Sequence, residues 1–95
     1  MSNKTYPKIT MTKKLKNNPT HTFTTYDLGV STALLCVGYK LLTIEKDDPK
    51  KALFVFDKEV GIESDANKYF SDRLEVKARA FFDQLKALKN RLYNQ

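Results

Sequence analysis

Residues 27–38 read Asp-Leu-Gly-Val-Ser-Thr-Ala-Leu-Leu-Cys-Val-Gly, and both ends of a helix are written into them. The carboxylate of Asp27 can accept the orphan backbone N–H groups of a first turn. Gly38 can supply the positive φ that ends the last one. The run between them is apolar nearly all round, which predicts a central, covered helix over about 28–37. Gly29, Ser31 and Ala33 are small, so a neighbour can approach that helix closely. A bilayer-spanning helix needs roughly 20 apolar residues, and this run is too short. It also starts directly after Asp27, with no small-residue cleavage site following it, which argues against a signal peptide.

The fold grows outward from this helix. On its N-terminal side, Thr22-Phe23-Thr24-Thr25-Tyr26 is β-branched and aromatic and reads as a short strand. On its C-terminal side, Tyr39–Lys46 and Lys51–Asp57 read as two strands joined by the turn-rich Asp47-Asp48-Pro49-Lys50. Period-two alternation puts Leu42, Ile44, Phe54 and Phe56 on one face of this hairpin and Leu41, Thr43, Leu53 and Val55 on the other. The second face is more apolar than a solvated face normally is. Either helices cover both sides, or that face meets another subunit.

Asp57 is placed to cap a short helix running to about Phe70, with Ile62, Ala66, Tyr69 and Phe70 on one side. Ser71-Asp72-Arg73 breaks it. Leu74, Ala78, Phe81, Leu85, Leu88 and Leu92 then alternate at four- and three-residue steps, with Phe82 beside the stripe. This predicts an amphipathic helix from about 74 to 93. The expected fold is α+β, one small domain of order β-α-β-β-α-α over residues 23–95, behind a basic arm of residues 1–22.

The arm holds nearly all the net charge. Lys4, Lys8, Lys13, Lys14 and Lys16 stand in the first 22 residues without a single acid, giving +5 of the chain's formal +6. The rest carries twelve Lys/Arg against eleven Asp/Glu. The arm lacks hydrophobic periodicity and contains Pro7 and Pro19, so it is expected to be disordered in the free protein. Without it, about 70 residues remain, near the lower limit for one unstapled core, and self-association is a common remedy. The single Cys36 cannot form an internal disulfide, no Cys/His cluster offers a zinc site, and a reducing cytoplasm is the expected compartment.

The stretch from Thr25-Tyr26-Asp27-Leu28 through Ala33-Leu34-Leu35 to Gly38, then Phe54-Val55-Phe56, Tyr69-Phe70, and Phe82 with Leu85, resembles a small family of prokaryotic and phage domains catalogued only as a domain of unknown function. The family pattern is a short strand, a helix ending in Gly, a hairpin whose second strand reads Phe-x-Phe, and C-terminal helices ending in a Leu/Tyr stripe. The resemblance covers about residues 23–93 and leaves the arm outside. It implies a fold and supplies no activity, substrate or site.

No catalytic residue stands out. Glu75-Val76-Lys77, with Asp65 or Asp72 upstream, has the residue types of a metal-dependent nuclease, but that chemistry needs a rigid central strand and these residues open a helix. Asp57, Glu59, Glu63 and Asp65 lack the spacing of a calcium loop, and read as charge favoured by a helix N-terminus. Cys36 reads as an inert core thiol and His21, the only histidine, as a surface residue beside the arm; a Cys-His dyad is geometrically possible but would rest on one residue of each kind. No metal, cofactor, membrane partner or small-molecule substrate is expected.

The basic residues remain. Lysine makes point-charge contacts with phosphates and suits sequence-independent attraction. The expected function is therefore a non-enzymatic nucleic-acid-binding protein, acting through Lys4, Lys8, Lys13, Lys14 and Lys16 of the arm with Lys86, Lys89 and Arg91 of the last helix. On that helix the basic residues spread around the polar side without forming one stripe. The alternative is a protein-interaction or structural module, self-associating as a homodimer. Stacking aromatics beside basic residues would distinguish the two. Phe54, Phe56, Phe81 and Phe82 look like core, leaving Tyr6, Tyr39 and Tyr93 as the candidates for exposed rings.

Overall fold

The computed structural model describes residues 21–48 and 50–94 of the chain, and the expectations for Tyr6 and the lysines of residues 1–20 fall outside them. The element order is the expected one: β1 (Thr22–Thr25), α1 (Leu28–Val37), β2 (Leu41–Asp48), β3 (Lys51–Asp57), α2 (Ile62–Phe70) and α3 (Ala78–Tyr93). The strands form one antiparallel sheet of order β1-β3-β2, with the Phe-Val-Phe strand in the centre.

The caps of α1 form as their residue types require. Asp27 accepts from the Val30 N–H at 2.9 Å, and Gly38 adopts φ 115° while its N–H and that of Tyr39 return to the carbonyls of Leu34 and Leu35. Two polar side chains are buried in this helix. Each satisfies itself on its own preceding turn, Ser31 Oγ donating to the Asp27 carbonyl and Thr32 Oγ1 to that of Leu28, both at 2.8 Å. Such i−4 bonds remove the desolvation cost of a buried hydroxyl.

One core joins every helix to one face of the sheet. Val30 and Leu34 of α1, Ile62 and Ala66 of α2 and Leu88 of α3 close over Ile44, Phe54 and Phe56. Each fully buried large side chain contributes about 1.5–3 kcal/mol. Gly29 is what lets α2 come close. A Cβ there would overlap the hydroxyl of Tyr69 and lie 3.0 Å from its ring carbon Cζ.

Four expectations about local structure need correction. Leu42 does not lie on the core face. Leu41 pairs with Phe56 and Thr43 with Val55, so β2 carries an extra residue between them. This bulge turns Leu42 outward and brings Leu41 against the core. The opposite face holds Thr24, Thr43, Leu53 and Val55, with Val55 only 3 % exposed. Asp57 ends β3 and caps nothing. The following helix begins only at Ile62, behind Gly61 at φ 96°. Leu74 is not helical either, because α3 starts at Ala78. Leu74 and Val76 are half-buried while Arg73, Glu75 and Lys77 are exposed, the alternation of an extended segment. Finally, Phe70 is 62 % and Phe82 57 % exposed, so neither is core.

Candidate nucleic-acid interface

The antiparallel pairing decides which residues meet. Thr25 pairs with Phe54, so β1 runs toward the turn between β2 and β3. Tyr26 and the start of α1 therefore sit at the hairpin end of the sheet. The last turn of α3 arrives at the same place, and Lys46 Nζ donates to the Leu92 carbonyl at 2.8 Å. A cation on the final carbonyls of a helix is the favoured arrangement. Lys46 shares the core-facing parity of Ile44 but stands exposed at the sheet's end, where its ammonium reaches the helix terminus.

These elements enclose a cleft of about 300 Å³. Leu28, Ala52, Phe54 and Leu92 supply its apolar lining, and Tyr26 and Tyr93 border it as well. Lys46, Lys50 and Lys51 line it without an acid among the lining residues. Tyr26 is 63 % exposed and Tyr93 78 %. Lys51 Nζ lies 5.6 Å from the centroid of the Tyr26 ring, within cation–π range. Asp48 accepts the Lys50 backbone N–H at 2.9 Å, which fixes the turn that carries these lysines. The ion pairs among the described residues are Lys58–Glu63, Lys68–Asp65 and Arg79–Asp83, all outside the cleft.

A second feature leads into the cleft along α3. At 3.6 residues per turn, Arg79, Phe82, Lys86, Lys89 and Tyr93 fall within about 80° of arc. Lys86 Nζ lies 5.1 Å from the Phe82 ring centroid. The sequence suggested no single basic stripe here. Phe82 and Tyr93, once seen to be exposed, complete one that is both basic and aromatic. Lys86 and Lys89 do not line the cleft but share the helix face that ends at Tyr93. Arg91 is exposed but lies about 160° around the helix from Tyr93 and does not share that face.

Tyr39 is not a free ring. Its hydroxyl donates to Asp65 Oδ2 at 2.6 Å, tying the turn after α1 to α2. That hydrogen bond, followed by burial and the charges of Asp65 and Glu59, pushes its phenol up to about 12. Burial also pushes the Cys36 thiol up, away from the thiolate a nucleophile needs. His21 is exposed at the start of β1, and Glu75 and Lys77 are exposed in the extended segment rather than on the sheet.

Sequence reasoning missed Tyr26, Lys46, Lys50 and Lys51. Three lysines within six residues of a turn were a usable signal. The pairing of that turn with residues 26 and 93 was not, because only the topology brings them together. No helix among the described residues is long and apolar enough to cross a membrane. No curated protein and no solved structure matches the chain significantly. A family model does match, across residues 20–94, and by that match the chain belongs to the DUF5659 family, a domain of unknown function.

Proposed function

We propose that the protein is a non-enzymatic nucleic-acid-binding module that holds its ligand mainly by lysine–phosphate contacts. The observation that carries this reading is the convergence of Lys46, Lys50 and Lys51 at the hairpin end, with Lys86 and Lys89 leading to them along α3. Residues 23–95 are close to neutral, and the hairpin itself also carries Glu45, Asp47 and Asp48, but the residues that line the cleft include Lys46, Lys50 and Lys51 and no acid. The five lysines of residues 4–16 act on the same ligand. Their segment joins the domain at His21, and β1 is only about 13 Å long at strand rise. Twenty extended residues span at most about 70 Å, so the cleft is within their reach. The unpaired Cys36 suits a reducing cytoplasm as the place of action.

The test is fluorescence anisotropy with labelled DNA and RNA across a salt series, on the full chain, on a chain lacking residues 1–20, and on Lys46→Ala/Lys50→Ala/Lys51→Ala. Each lost phosphate contact lowers the slope of log K against log salt by about 0.9 on duplex DNA and 0.7 on single strands. The triple variant should therefore lose about two units of slope, and the shortened chain several. Slopes that do not change would remove these lysines from the mechanism.

A second reading, a homo-oligomeric or protein-interaction module, is favoured by one specific observation. Phe70 stands exposed at the rim of another cleft of about 310 Å³, whose apolar walls are Ala33, Leu74, Val76 and Phe81. Solvent-exposed aromatic surface of this kind is suited to a protein contact.

A further inference from the structure

The lysines alone would serve duplex and single strand alike; the rings beside them would not. We infer that the ligand is single-stranded nucleic acid, DNA or RNA, with unpaired bases stacked on Tyr26 and Tyr93 in the cleft and on Phe82 along α3. This rests on the proposed nucleic-acid reading and narrows it.

Of the four exposed rings among the described residues, three, Tyr26, Phe82 and Tyr93, have ammonium groups at hand. Lys51 lies over Tyr26 and Lys86 over Phe82. Lys46 and Lys50 line the same cleft as Tyr93. A base arriving on either covered ring displaces the ammonium sideways, toward the phosphate of that same nucleotide. Ring and cation then serve the two halves of one nucleotide, which is how sequence-tolerant single-strand platforms work. From Phe82 to Tyr93 the helix rises about 16 Å, room for several nucleotides on one stripe.

In a duplex the base faces are already stacked on one another and are not free to stack on a protein ring. A duplex would therefore meet the lysines and leave the tyrosines idle. The cleft is also at the small end of ligand-pocket volumes, about 300 Å³, fit for a ring system and too narrow for a helix of nucleic acid. A protein partner is the weaker occupant, because lysine is depleted where protein interfaces bury their centre.

The experiment uses the full chain with oligothymidine and oligouridine of about 16 nucleotides and a duplex of equal length, all at one salt concentration. Tyr26→Ala, Tyr93→Ala and Phe82→Ala are compared with Tyr26→Phe and Tyr93→Phe, with circular dichroism as the check on folding. Each alanine change should weaken single-strand binding roughly 5- to 140-fold per stacked base while leaving duplex binding within about twofold. The phenylalanine changes keep the ring and should retain most of the affinity. The two single strands distinguish DNA from RNA as the preferred source. Equal affinity for duplex and single strand, or alanine variants that bind like the parent, would overturn the stacking inference and leave the lysine reading intact. If neither form bound at low salt, both would fail.

Discussion

Gly29→Ala should destabilise the domain, and Tyr69→Phe should rescue it. Gly29 lies in the first turn of α1, where alanine would normally be preferred by up to about 1 kcal/mol. Here the added Cβ would overlap the Tyr69 hydroxyl, with Cζ at 3.0 Å and the capping Asp27 Oδ1 at 3.1 Å. Tyr69 packs against the core and cannot swing away freely, so overpacking costs about 1–3 kcal/mol. Set against the propensity gain, the net loss should be about 1 kcal/mol, or roughly 4–8 °C in melting temperature for a domain of this size. In a Tyr69→Phe background the worst overlap is gone, and the same substitution should become neutral or mildly stabilising. The coupling energy of the double-mutant cycle should be about 1–2 kcal/mol. Gly38→Ala is the control. Its Cβ would meet nothing within 4 Å, yet φ 115° strains any L side chain, so its cost must be indifferent to Tyr69. Urea unfolding with constant m values reads all of these. Equal destabilisation by Gly29→Ala in both backgrounds would refute the argument that the glycine exists for the tyrosine.

The remaining structural predictions concern two exposed or half-exposed rings. Because the Tyr39 phenol is raised in the folded state, its stabilisation is complete below the ordinary value near 10 and is lost as pH climbs toward about 12. Tyr39→Phe should cost about 1 kcal/mol at neutral pH and flatten that alkaline decline, as followed by chemical unfolding between pH 8 and about 12. Phe70→Glu should leave the fold intact and abolish any self-association through the Phe70 rim. Sedimentation equilibrium reads this, and a parent chain that is monomeric at micromolar concentration would remove the homo-oligomeric form of the second functional reading.

The parts of the fold that were legible in the sequence are those fixed by local chemistry. Asp27 and Gly38 end α1 because a carboxylate and a residue free to take positive φ are what helix ends require. The hairpin of β2 and β3 was legible from its alternation and from the turn residues between its strands, whereas the central place of Phe54-Val55-Phe56, buried at all three positions, comes from the pairing of β1 on its other edge. Failures came where one residue shifts a period. The bulge at Leu42 moves two leucines to opposite sides of β2, and no residue type announces it. The stripe Leu74, Ala78, Phe81 was read at helical spacing, although Leu74 and Val76 also fit the two-residue period that the structure adopts there. The candidate cleft was the least legible feature. Lys86, Lys89 and Tyr93 were visible as basic and aromatic residues of one helix. Tyr26 and Lys46 were read simply as strand ends, Lys51 as the start of a strand and Lys50 as part of a turn. Their meeting depends on the order β1-β3-β2 and on where α3 stops, which are properties of the whole chain.

The central claim is that lysines on the domain and in residues 4–16 hold the phosphates of nucleic acid. The most direct measurement is the affinity of the intact chain for a short labelled single strand, titrated from low to physiological salt. With five lysines at the hairpin and along α3, and five in the N-terminal segment, the account predicts binding whose log K falls with log salt at a slope of several units, about 0.7 for each phosphate engaged. Binding that is absent at the lowest salt, or present with a slope near zero, would contradict it.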